Sequence, residues 1–512
     1  MSGPIALRSL AALLALLVLG PQDDEIVKEF SKYFKKYKET PTRVEAVLSL
    51  EGTESTGVVD VLLPVLKHDE VEVVDAAVRV LGGFDTSEPV QRLLARLEKE
   101  KNERVRVGLL RALTRGAYAD QGEGAVEAVS ACLGDKSWDV RRRAVQALAA
   151  TDEVAHAELI APLAVDREPA VRSATLEGLT HLGSHLVRPP AVTALDDEAW
   201  QVRASAIAAL GSVRHRDSIE PLVARMKVEQ GRLLADLAAA LENLTGRGFG
   251  QRVALWEKFW RTYADSYEIP TDEQMAALRE RQRERAAEYK PEGQAQFVGI
   301  STPSRSILFV IDVSGSMENE VVERERFADG GYPSWSRMDI VKTELRRTIE
   351  NLEPYVRYNI LSFATRPKAW KKKLVPANVL NKSSADDWVR RLEPIGGASK
   401  EDLARVGLVG SANLEAGKTN TWAALAEALQ IPQENKRKDE GYEIDLDTVF
   451  FLSDGQPTHG RFIDINDILA EVRKANELRK VVIHTIAIGE FQRTFMQRLA
   501  AENGGSYVDL GR

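Results

Sequence analysis

Apolar residues follow three different rhythms along the chain. Leu10 to Leu19 form a continuous apolar run preceded by Arg8. Between 41 and 245 apolar residues recur at helical spacing in blocks that resemble one another: VDAAVRVL (74–81), VRVGLLRAL (105–113), VRRRAVQAL (140–148), VRSATLEGL (171–179), VRASAIAAL (202–210) and LLADLAAAL (233–241). Their closing leucines, Leu81, Leu113, Leu148, Leu179, Leu210 and Leu241, lie 32, 35, 31, 31 and 31 residues apart, and Leu50 extends the register backwards. Each block follows another helical pattern, as in SEPVQRLLARL (87–97). From 306 the rhythm changes to short β-rich runs, SILFVID (306–312), YNILSF (358–363), DTVFFLSD (447–454), VVIHTIAIG (481–489) and SYVDL (506–510), separated by amphipathic helical stretches.

A two-helix repeat cannot bury its apolar faces alone, so the repeating blocks predict a stacked α-solenoid. The pattern resembles the HEAT-like repeats of phycobilisome-lyase type, in which an Asp in the turn and an Arg after the Val form a ladder between neighbours. Asp135/Arg141, Asp166/Arg172 and Asp197/Arg203 match this, each six residues apart. Asp75 stands where one repeat should have the Arg, and Glu100 replaces the Asp of the next. The ladder is therefore expected to break at the first and to loosen at the second. The resemblance implies a protein-binding scaffold; lyase activity does not follow from it. His181 and His185 flank Gly183 at a helix end and read as a solvated turn, while Trp256 and Trp260 read as a cap on the last apolar face.

The alternation after residue 306 predicts an α/β domain with a mostly parallel sheet. Three element ends carry polar residues: Asp312-Val313-Ser314-Gly315-Ser316, Gly417-Lys418-Thr419-Asn420-Thr421, and Leu452-Ser453-Asp454-Gly455. In an open α/β sheet, loops at the carboxyl ends of neighbouring strands converge in one crevice. Two carboxylates and three hydroxyls would meet there, all hard donors that suit Mg²⁺, Mn²⁺ or Ca²⁺ and not Zn²⁺. DVSGSM alone would also read as a polar turn capping a helix.

The ordered set Asp312, Ser314, Ser316, Thr419 and Asp454 resembles the metal-ion-dependent adhesion site (MIDAS) of the von Willebrand factor A (VWA) domain, a Rossmann-like α/β fold. The resemblance implies that these five residues hold Mg²⁺, or Mn²⁺ or Ca²⁺, and that a Glu or Asp of a protein partner completes the coordination. Lys418 departs from the small residue that many members have there. Two insertions flank the site. Residues 318–336 carry Phe327, Tyr332 and Trp335, and residues 396–418 precede Thr419. Each could shape recognition or fold over the domain.

Composition narrows the remaining choices. A formal net charge of -8 over 512 residues, with no long Lys/Arg block, argues against nucleic acid as the ligand. The single Cys132 excludes a disulfide framework and a Cys-based zinc site. The apolar run at the start is too short to span a bilayer as a settled helix and suits a signal peptide or N-terminal anchor, which predicts export and allows membrane attachment. The expected organisation is a signal peptide or anchor (1–21), a charged segment (22–40), a HEAT-like α-solenoid (41–267), a charged helical linker (268–304) and the VWA domain (305–512).

No hydrolytic Ser/His/Asp or Cys/His arrangement is visible, and His459 is the one acid–base group expected near the metal. The chain is expected not to be an enzyme. Ala412 to Thr419 ends GKT like a degenerate phosphate-binding loop, but Leu414 and Glu415 crowd it and Glu415 would repel phosphate. The expected function is an exported adaptor whose VWA domain engages an acidic residue of a partner through the metal, with the HEAT repeats as a second surface. The alternatives are a metal-independent scaffold and a P-loop-like nucleotide-binding enzyme.

Overall fold

The computed structural model describes residues 22–115, 118–286, 295–396, 417–431, 444–489 and 493–510. The apolar run at 1–21 and most of the second insertion, 397–416, lie outside the described residues. The chain divides into two units, 1–190 and 191–512, so the division falls within the repeat array.

In the first unit the repeats are helix pairs. The helices Val71–Leu81, Glu103–Leu113, Trp138–Ala149 and Pro169–His181 carry the repeated blocks. They bury their closing leucines and the valines that open each block. Full burial of each such side chain contributes about 1.5–3 kcal/mol, and no single pair has enough of them to stand alone. Arg106 pairs with Asp135 of the next repeat. Arg141 grips both oxygens of Asp166 at 2.7 Å while its Nη1 donates to the Asp135 carbonyl at 2.8 Å. Arg141 thus ties its own turn to the aspartate of the following repeat. The first repeats are held differently: Asp75 pairs with Arg111 at 2.7 Å and Asp69 with Arg104 at 3.0 Å. The break expected at Asp75 is therefore bridged by other residues. Glu100 accepts from the backbone N–H groups of Lys101 and Asn102 and closes its turn much as Asp135 closes its own.

The second unit begins with the last repeats, Trp200–Ser212, Ile219–Met226 and Gly231–Thr245, closed by the helix Val253–Tyr263. Trp256 on that helix is fully buried against Phe249 and Phe259. A hairpin follows, β1 (Ala295–Phe297) and β2 (Ile300–Thr302), where the sequence suggested only linker. Three-residue strands carry no readable period; the hairpin exists because Phe297 is fully buried between Phe309 and Phe450.

The main sheet contains β3 (Ser306–Asp312), β4 (Arg357–Phe363), β5 (Pro367–Ala369), β6 (Val375–Pro376), β7 (Thr448–Ser453), β8 (Val482–Ala487) and β9 (Tyr507–Asp509). Its order is β5-β4-β3-β7-β8-β9, with β6 also on β4; β5 and β6 run antiparallel and all other pairs are parallel. Alternate residues of β3 serve the two faces. Ile307, Phe309 and Ile311 pack under the helices Arg337–Asn351 and Val379–Arg390, through Ile340, Leu345 and Val389. Leu308 and Val310 face Leu425, Leu469 and Leu499 of the helices Thr421–Ala428, Ile465–Arg479 and Arg493–Glu502.

The amino ends of the central strands meet the last repeats. Trp200 Nε1 donates to the Ile444 carbonyl at 3.2 Å. Arg232 lies 5.5 Å from the Trp200 ring and donates to the Lys480 carbonyl. The carboxyl ends of the same strands point the other way, and they carry the polar loops.

Candidate functional site

β3 pairs with β4 on one side and β7 on the other, so successive connections leave it in opposite directions. A crevice opens at such a reversal, outside the carboxyl ends of the strands. The parallel register Ile311↔Leu452 sets the next residues, Asp312 and Ser453, side by side. Ser453 Oγ donates to Asp312 Oδ2 at 2.6 Å, and the Ser314 N–H donates to Asp312 Oδ1 at 2.8 Å. The loop after β3 is held further by Val313 N donating to the Phe363 carbonyl and Ile395 N to the Val313 carbonyl, both at 2.8 Å.

Asp454, one residue past β7, reaches the same loop. Ser316 Oγ donates to Asp454 Oδ1 at 2.8 Å and lies 3.2 Å from Ser314 Oγ. Gly455 lies between the three loops. A Cβ on it would sit 3.4 Å from Thr419 Oγ1 and 3.6 Å from Ser316 Oγ, so the two hydroxyls flank one spot. Thr419 is fixed by its backbone: its N–H donates to Thr458 Oγ1 at 3.0 Å, and its carbonyl accepts from Thr458 N at 2.9 Å. Asn420 then caps the helix Thr421–Ala428 by accepting from Ala423 N at 3.0 Å and donates to the Thr365 carbonyl at 3.1 Å. Asp312, Ser314, Ser316, Thr419 and Asp454 therefore lie on three loops at one end of the sheet, and all but Ser316 are buried.

Burial raises the pKa of Asp312 to about 7, helped by the neighbouring Asp454 carboxylate. Burial also raises Asp454, against the pull of Arg337 and Ser316. Two buried carboxylates that disfavour each other's ionised form are what a bound dication would relieve. Among the described residues no cluster of three His, Cys, Asp or Glu side chains forms a metal-holding group. The donor set here is two carboxylates plus hydroxyls, hard oxygens that fit Mg²⁺, Mn²⁺ or Ca²⁺.

Two participants escape the sequence reading. Ser453 had no role there, although it orients Asp312. Arg337, the first residue of its helix, donates from Nη1 to Asp454 Oδ2 at 2.6 Å across 117 residues of sequence. In the first insertion, Phe327 is buried, Tyr332 and Trp335 pack on the core, and Tyr332 Oη donates to Glu344 at 2.8 Å. Its aromatic residues fold over the domain; they are not displayed as a recognition patch. Of the phosphate-loop-like segment, 412–416 lies outside the described residues, and the Lys418 N–H donates to Thr365 Oγ1 at 3.2 Å.

The family model for HEAT repeats matches residues 28–114 and 156–242, and that for the von Willebrand factor type A domain matches 327–509. The second match begins downstream of Asp312, Ser314 and Ser316, within the insertion that separates them from their helix. Inter-alpha-trypsin inhibitor heavy chain H1 of Mesocricetus auratus is 26% identical over 207 residues, and heavy chain H4 of Homo sapiens is 24% identical over 208. Each alignment covers 40% of this chain and 18% of the relative, so the chain spans under a fifth of those proteins' length. Among solved structures, a von Willebrand factor type A protein from Catenulispora acidiphila aligns at 16% identity and a TM-score of 0.27, covering 41% of this chain and 39% of that one. BatB from Bacteroides thetaiotaomicron aligns at 13% identity and a TM-score of 0.26, covering 40% of this chain and 89% of its own.

Proposed function

Since the chain is a von Willebrand factor type A domain protein with N-terminal HEAT repeats, both of them families suggestive of protein interaction, we propose that it is an exported, non-catalytic adaptor that grips a partner's Asp or Glu through a divalent cation. The observation that carries this reading is the meeting of Asp312, Ser314, Ser316, Thr419 and Asp454 from three loops. Mg²⁺ bound there would supply an electrophilic position for a carboxylate from outside. Asp312 and Asp454 supply the negative charge; Ser314, Ser316 and Thr419 supply neutral oxygens. A site with few anionic donors of its own favours an anion from the partner. The HEAT repeats supply a second interaction surface, and the apolar N-terminus supplies export and possible membrane attachment.

The test is binding of the full chain to arrayed peptides containing Asp or Glu, in Mg²⁺ and in EDTA, beside Asp312→Ala. Binding to acidic peptides that needs both Mg²⁺ and Asp312 is expected. Capture that survives chelation and the substitution would move the function to the solenoid.

A further inference from the structure

Arg337 is an unusual residue for its position. Ser336 caps the helix by accepting from the Asp339 N–H at 3.1 Å, and Arg337 opens the first turn. A cation there opposes the helix dipole, so its placement has another cause. Its guanidinium turns inward onto Asp454, whose side chain is fully buried, while the Arg337 side chain is 13% exposed. The Arg337 Nε is buried without a hydrogen-bond partner among the described residues, a cost the ion pair offsets. Room for the group comes from Gly489, just past β8: a Cβ there, at φ +143°, would lie 3.0 Å from the guanidinium carbon. The backbone of Arg337 is fixed as well, its N–H donating to the Asn319 carbonyl at 2.9 Å.

We propose that Arg337 is the resident counter-ion of the metal site, weakening capture of a lone divalent cation and leaving the loaded site in need of an anionic partner. This rests on the metal reading above. Two ionised carboxylates alone would be neutralised by a dication. With the guanidinium bound to Asp454, the loaded site keeps one net positive charge, which a partner's carboxylate removes. The first insertion delivers this cation, since it ends at Ser336.

The experiment is calorimetric titration of Mg²⁺ into the full chain, for the natural protein, Arg337→Gln and Arg337→Lys, with melts in EDTA. Arg337→Gln should bind Mg²⁺ tighter by roughly tenfold, about 1.4 kcal/mol, and melt lower in EDTA, while Arg337→Lys stays near the natural affinity. A purely structural Arg337 would move only the melts. Unchanged or weaker binding in Arg337→Gln, or equal tightening in Arg337→Lys, overturns the counter-ion role and leaves the metal site standing. No binding by any of the three overturns both.

Discussion

At the carboxyl ends of β3 and β7, Asp312 and Asp454 share a crevice with hydroxyls from three loops. At the amino end of β7 another carboxylate, the half-buried Asp447, accepts from the hydroxyls of Ser304 and Thr448, and Asp236 of the last repeat lies 3.4 Å from Arg232. Burial raises the pKa of all four carboxylates. A raised pKa therefore does not distinguish the two ends. What differs is the destination of the oxygens: Asp447 Oδ1 accepts from two hydroxyls in its own surroundings, whereas the hydroxyls of Ser316 and Thr419 flank Gly455 and Ser316 donates to Asp454. Each end also has an arginine. Arg232 reaches carbonyls and an indole ring and joins the last repeats to the sheet, while Arg337 reaches a carboxylate of the candidate site.

If the amino end is structural and the carboxyl end functional, substitutions should separate stability from metal response. Arg232→Met removes the half-exposed partner of Asp236, the bond to the Lys480 carbonyl and the contact to Trp200, and is expected to cost about 2 kcal/mol, with the Mg²⁺ response kept. Denaturant melts with and without Mg²⁺ check this; loss of the metal response would dissolve the distinction. His484 on β8 stacks on Phe450 and accepts from the Ser506 N–H at 3.0 Å. Burial first, and then Arg232, lowers its pKa from 6.5 to about 4. Its folded-state value lies below the unfolded one, so its contribution is full above 6.5 and is lost as pH falls towards 4. The loss should reach about 1.4 kcal/mol by about pH 5.5, and His484→Phe should flatten that part of the stability–pH profile. At the other end, Asn420→Ala removes a helix cap worth about 1 kcal/mol. It should also weaken Mg²⁺ binding, because Asn420 fixes Thr419 against Thr365; an unchanged affinity would mean Thr419 is placed by Thr458 alone.

The long strands were legible because Phe309, Phe450 and their neighbours form dense β-rich runs, and the solenoid because its leucines recur at a near-constant interval. β5 and β6 were not, at three and two residues. The helix Val379–Arg390 was missed because its sequence VLNKSSADDWVR has a weak apolar stripe, and Ala385 and Val389 alone on it are buried. The five candidate ligands could be read because each follows a strand or opens a helix in a fixed pattern. Arg337 could not, because its partner is set by the crossing of a helix over a sheet. The one local trace was a basic residue directly after a serine cap.

The central claim is that the carboxyl end of the sheet binds a divalent cation. A thermal melt of the full chain in Mg²⁺ and in EDTA, beside Asp312→Asn, tests it most directly. At a hundredfold excess over Kd the natural protein should gain about 2.7 kcal/mol, reversed by EDTA. Asp312→Asn should lose that gain yet melt no lower than the natural protein in EDTA, because it removes a buried charge. A melting point indifferent to Mg²⁺, or one raised equally in Asp312→Asn, would contradict the account.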